Sequence, residues 1–130
     1  MKRAFCYLVL GLGGIGSAAA YWLARQAGRG VWGIEHYSLD HVRGGSQGHS
    51  RIIPLSYHNL YYVNLAKEAY CVWTAVSQRT DTFFRQYLPW LLGKILSQVT
   101  IAGKSEFDLT SFQISRPILF AKNPVKGFMV

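Results

Sequence analysis

The segment Gly11-Leu12-Gly13-Gly14-Ile15-Gly16 constrains this chain more than any other, because it joins a run that favours strand to a run that favours helix. Residues 5–10 (Phe-Cys-Tyr-Leu-Val-Leu) are continuously apolar, the pattern of a parallel strand covered on both faces. Residues 17–26 are rich in Ala, lack proline and end near Gly28 and Gly30, which predicts a helix with a glycine stop. A second short apolar strand, Val31-Trp32-Gly33-Ile34, closes with Glu35, 19 residues after Gly16. Strand, glycine turn, helix and strand together form a β-α-β unit of about 30 residues. Glycine accounts for 13 of the 130 residues, so Gly-x-Gly-x-x-Gly alone is weak evidence, and its place between these elements gives it weight.

Each position in such a turn has its own physical task. Gly11 permits the tight turn, Gly13 lets the main chain touch a pyrophosphate, and Gly16 lets helix and strand pack without a side chain between them. The helix start, at Gly14 and Ile15, offers free N–H donors and the positive end of the helix dipole to phosphate. Glu35, with His36 beside it, is placed to accept hydrogen bonds from ribose hydroxyls, and its charge disfavours a 2′-phosphate. These residues predict an α/β chain of Rossmann type, an FAD/NAD(P)-binding β-α-β core with additional helices, incomplete because two strands make a poor sheet. Further strands are expected around residues 109–114 or 118–120.

The rest of the chain supplies those helices. Residues 38–50 carry Gly44, Gly45 and Gly48 among polar groups and read as a loop. Tyr62, Leu65, Ala66, Ala69, Trp73 and Val76 recur at helical spacing. Leu88, Leu91, Leu92, Ile95 and Val99 do the same, with Pro89 suited to a first turn and Gly103 to a stop, which predicts a helix over 88–102 packed, like the others, on the sheet. Cys6 and Cys71 lie in hydrophobic contexts and are expected in the core, with no disulfide framework and no metal-ligand spacing. Asp40, Asp81 and Asp108 read as caps and turn residues.

The 14 Lys+Arg against 6 Asp+Glu give a net charge of +8, but the basic residues are scattered and no nucleic-acid motif accompanies them. Nucleic acid is therefore not the expected partner. No apolar run reaches the roughly 18 residues of a membrane span, and the N-terminal stretch reads as strand and turn rather than as a secretory leader. The cytoplasm is the default compartment, since Phe128-Met129-Val130 is not a peroxisomal address.

Choosing FAD over NAD rests on Arg43-Gly44-Gly45-Ser46-Gln47-Gly48-His49-Ser50-Arg51-Ile52-Ile53. This stretch resembles the Gly-Ser-x-x-Gly-x-Ser/Thr-Arg-Ile-Ile loop of the sarcosine oxidase, N-methyltryptophan oxidase and pipecolate oxidase group of D-amino-acid-oxidase-like flavoproteins. Gly93-Lys94-Ile95-Leu96-Ser97-Gln98, Gly103-Lys104-Ser105, Phe107-Asp108-Leu109 and Phe112-x-Ile114-x-Arg116-Pro117 resemble the closing helix and tail of the same group. Family members are about three times longer. The resemblance therefore implies an FAD-binding segment over 1–80 and a C-terminal helix and tail over 81–130, joined across an internal deletion.

The resemblance also implies roles for particular residues. Ser46, Ser50 and Arg51 fall in the loop that contacts the cofactor, and Arg51 takes the place of an arginine against the flavin ring, where a cation favours charge on the reduced flavin. Gln47 sits where several members carry His. The implied activity is oxidation of the C–N bond of a small amine or secondary amino acid, with electrons passed to oxygen. Pro54 stands where the family usually has a second arginine, Tyr87 or its neighbours stand where a lysine is usual, and the cysteine that binds flavin covalently falls in the missing middle, so any FAD here is expected to be non-covalent. A non-catalytic dinucleotide-binding remnant is the alternative.

Overall fold

The computed structural model describes residues 5–38, 41–45, 53–80 and 88–115. Strands β1 (Tyr7–Leu10) and β2 (Val31–Ile34) are parallel neighbours, in register from Tyr7 opposite Val31 to Leu10 opposite Ile34. The crossover between them is helix α1 (Gly14–Ala27) and one 3-10 turn, Gly28–Gly30. Gly28 has φ +58° and returns its N–H to the Ala24 carbonyl, a glycine stop of the expected kind. The architecture of the described residues is mixed α/β, with a two-stranded parallel sheet.

Helix α2 (Leu60–Thr80) starts at Asn59, whose side chain accepts the Tyr61 N–H at 2.9 Å. Helix α3 (Leu88–Ala102) carries Pro89 in its first turn, where the missing N–H costs nothing, and ends at Gly103, with φ +68° and an N–H bond to the Val99 carbonyl. Among the described residues the buried apolar side chains come from α1, α2 and α3: Ala18, Ala19 and Leu23, then Ala66, Ala69, Val72 and Val76, then Leu91 and Ile95. Val72 joins the inward face of α2 unannounced by the periodicity, while Tyr62 and Val99 turn outward.

The later helices do not lie on the sheet. α3 packs on α1 and α2 packs on α3, so the three stack outward from the strands. The α1–α3 approach is close because both surfaces are small: a Cβ on Gly93 would come within 2.6 Å of Ala18 Cβ and Ala19 N. This order corrects the expectation of strands covered on both faces. Tyr7, Val9, Val31 and Gly33 are half-buried beneath α1, whereas Leu8, Leu10, Trp32 and Ile34 are exposed.

Two further expectations are corrected. Cys6 and Cys71 are both exposed: Cys6 precedes the first ladder residue, and Cys71 lies on the outward side of α2. Residues 109–114 form no strand but contain a 3-10 turn, Thr110–Phe112. The cause is Asp108, whose Oδ1 accepts both the Thr110 N–H at 2.9 Å and its hydroxyl at 2.6 Å and so folds the backbone locally. Residues 118–120 lie outside the described residues.

Candidate functional site

The parallel register brings the carboxyl ends of β1 and β2 level, so Gly11 and Glu35, the residues that follow them, stand side by side. In open α/β sheets ligands sit at this edge. Gly11 has φ +84°, a left-handed conformation that favours glycine, and its N–H donates to the Ile34 carbonyl at 2.8 Å. The turn is thereby tied to β2 at its first residue.

Gly16 has no room for any side chain. A Cβ there would fall 1.8 Å from the Gly11 carbonyl oxygen. Gly13 is the opposite case: a Cβ would meet nothing within 4 Å, so its backbone faces open space. Gly13 caps α1 without any side-chain hydrogen bond, and the first turn holds no acidic residue. The N–H groups of Gly14 and Ile15 have no intrahelical acceptor by geometry. An approachable glycine, helix-start donors and a first helical turn without an acidic residue fit a diphosphate.

Glu35 closes the other side. Its Oε2 accepts the Leu12 N–H at 2.6 Å, and its Oε1 accepts the N–H groups of His36 at 2.8 Å and Tyr37 at 3.2 Å. His41 Nε2 lies 3.6 Å from Oε1. The Leu12 N–H above all, then those of Tyr37 and His36 and the nearby His41, hold the carboxyl below its ordinary value of 4.5 against a partial desolvation that works the other way. A carboxylate has about four lone-pair positions, so Oε2, with one N–H bond, can still accept a hydroxyl.

Around the carboxylate lies a group of side chains that spacing did not indicate. Tyr37 meets His36 and His41 edge-on, at centroid distances of 4.6 and 4.9 Å, and Arg43 lies over its ring at 5.2 Å. The Arg43 N–H donates to His41 Nδ1 at 3.1 Å. Leu12 also escaped the sequence reading, because a main-chain donor leaves no mark in residue identity, and Gly33 makes room for it: a Cβ there would lie 2.8 Å from Leu12 Cδ2.

The structure thus brings Gly11, Gly13, Gly14, Ile15, Gly16, Glu35 and His36 together at one edge. Ser46, Ser50 and Arg51, with Gln47, lie outside the described residues, as does Tyr87. At the first described residue that follows, the Ile53 carbonyl accepts the Tyr70 hydroxyl at 2.9 Å, which fixes the chain to α2 just before Pro54. Among the described residues no three His, Cys, Asp or Glu side chains are grouped to hold a metal, and no helix is long and apolar enough to cross a membrane.

No family model and no solved structure matches the chain. Curated relatives do. The chain is 40% identical over 133 residues to the monomeric sarcosine oxidase of Streptomyces avermitilis, a match that takes in 98% of this chain and 33% of the relative. It is 34% identical over 85 residues to the peroxisomal sarcosine oxidase of Mus musculus and 35% identical over 75 residues to that of Homo sapiens, matches covering 65% and 58% of this chain and 22% and 19% of those proteins. The chain therefore spans a third or less of the relatives it matches, and with that extent it belongs to the sarcosine oxidase-like family.

Proposed function

We propose that this chain is the cofactor-binding part of an FAD-dependent oxidoreductase of the sarcosine oxidase type, built on an incomplete Rossmann-type fold. The observation that carries the reading is the closure of the glycine turn by Glu35 through the Leu12 N–H, beside a Gly13 that nothing covers. In this reading the Gly13–Ile15 backbone binds the diphosphate of FAD and Glu35 orients the adenosine ribose. FAD, once bound, supplies the two-electron acceptor for oxidation of a C–N bond in a small secondary amine or amino acid. Ser46, Ser50 and Arg51 are proposed to extend the contact toward the flavin ring. FAD is proposed to be held without a covalent bond, since neither cysteine lies in a motif for attachment.

The two segments 1–80 and 81–130 are proposed to correspond to opposite ends of the family chain. The docking of α3 on α1 supports this, because it returns the second segment to the first. Activity and amine substrate belong in this proposal to the longer relatives. Pro54, without a donor, favours the reading in which this chain alone binds a dinucleotide and turns nothing over. The cytoplasm is its proposed compartment.

Titration of the purified chain with FAD and with ADP tests the proposal. Absorbance near 450 nm that remains with the protein on gel filtration, and competition by ADP, is the expected result. A colourless protein that binds neither ligand overturns it.

A further inference from the structure

Beside the end of β2 two opposite charges share a neighbour without pairing. Tyr37 serves both: its N–H donates to Glu35 Oε1 at 3.2 Å, and its ring carries the Arg43 guanidinium, 5.2 Å from the centroid. The Arg43 backbone is pinned as well, because its N–H donates to His41 Nδ1 at 3.1 Å. Yet the cationic neighbour of Glu35 at ion-pair distance is His41, at 3.6 Å, and among the described residues Arg43 pairs with no carboxylate. A guanidinium stays charged at every working pH and presents its N–H donors in a flat fork, which grips a phosphate through two of them at once. Such a group, held on one face of Tyr37, stands within the cluster that surrounds Glu35.

We propose that Glu35 and Arg43 together set which nucleotides this edge accepts: Glu35 selects those with a free 2′-hydroxyl, and Arg43 takes a 2′-phosphate wherever that carboxylate is removed. The inference rests on the nucleotide reading above and deepens it, since FAD carries a free 2′-hydroxyl on its adenosine ribose. Oε2 holds one N–H, that of Leu12 at 2.6 Å, and has a lone pair for the hydroxyl. A 2′-phosphate brings up to about two negative charges to the same place. The Glu35 carboxyl is held below its ordinary 4.5, chiefly by the Leu12 N–H, so it is ionised at neutral pH and repels that group. Once the carboxylate is gone the repulsion goes with it, and the attraction of the guanidinium remains. The glycine turn takes no part in the choice, because it meets the diphosphate that both kinds of nucleotide share.

Calorimetric titration of the whole chain with adenosine diphosphate ribose and with its 2′-phosphate, two probes that differ in that group alone, reads the outcome. The unmodified chain is expected to prefer the first by about a hundredfold. Glu35→Ser weakens the first about tenfold and tightens the second about tenfold, which abolishes the preference. Glu35→Ser/Arg43→Ala loses that gain, whereas Glu35→Ser/Lys104→Ala, which removes an exposed cation past the end of α3, keeps it. Should Glu35→Ser fail to fold, Arg43→Ala alone still decides, because the unmodified preference widens about fivefold when the guanidinium goes. No gain in a folded Glu35→Ser chain, a gain that survives Arg43→Ala, or an unchanged preference in Arg43→Ala overturns this inference and leaves the nucleotide reading standing. Binding of neither probe by the unmodified chain overturns both.

Discussion

The Leu12 amide and the Glu35 carboxylate, 23 residues apart in sequence, meet at 2.6 Å across the end of the sheet. This bond fixes the carboxylate beside the glycine turn, and two further N–H groups, of His36 and Tyr37, hold its other oxygen. Glu35→Gln keeps the shape but exchanges one acceptor oxygen for a donor that must face an N–H. Affinity for ADP falls about tenfold or more as a result, measured by calorimetric titration.

Gly16→Ala is the most damaging single change at the turn. The added carbon lands 1.8 Å from the Gly11 carbonyl oxygen, and backbone cannot swing aside as a flexible side chain would. A loss of about 3 kcal/mol is expected from urea unfolding, together with loss of FAD binding. Gly13→Ala meets nothing within 4 Å and leaves stability nearly unchanged, but it blocks the approach to a diphosphate. The two variants therefore separate the packing role of one glycine from the proposed binding role of the other.

Gly93→Ala sets helix propensity against packing. Alanine favours a helix interior by about 1 kcal/mol over glycine. Here its methyl would lie 2.5 Å from the Ala18 carbonyl carbon, so α1 and α3 must separate along their whole contact. Packing wins, with a net destabilisation of about 1–2 kcal/mol in the urea midpoint.

Stability falls in acid for a stated set of groups. Glu35 is held below its ordinary 4.5 mainly by the Leu12 N–H, Glu106 below 4.5 mainly by the Lys94 side chain, and Asp108 below 3.8 mainly by the Thr110 hydroxyl. Depressed folded values mean that the unfolded chain binds more protons, so the stabilisation is complete above the ordinary values and is lost as pH falls through the folded ones. Urea midpoints are expected to hold steady down to about pH 5 and to decline below it. Glu35→Gln flattens part of that decline. Lys94→Met changes little at neutral pH, since its partner Glu106 is half-exposed.

Features with local causes were legible in the sequence. Gly16 had to be glycine if a strand and a helix were to cross there, and the bounds of α3 followed from Pro89, Gly103 and the apolar spacing between them. The exposure of Leu8, Leu10, Trp32 and Ile34 was not legible. A run such as Phe-Cys-Tyr-Leu-Val-Leu looks the same whether its second face is covered or open, because coverage depends on where α2 and α3 dock. Asp108 reads as a turn residue, and its capture of the Thr110 N–H and hydroxyl outweighs the strand propensity of residues 109–114. At the site, Glu35 was found by its distance from the glycines, whereas Tyr37, His41 and Arg43 gather around it through a loop path that no periodicity encodes.

The contact between Leu12 and Glu35 belongs to the fastening of the two strands as much as to the proposed nucleotide site. A ligand that clamps this corner must therefore also resist unravelling of the β-α-β unit, and at a hundredfold excess over its dissociation constant it adds about 2.7 kcal/mol to the folded state. If the proposed nucleotide binds there, occupancy and foldedness become one equilibrium: without it the chain is at its most fragile, and its melting curve doubles as a binding isotherm.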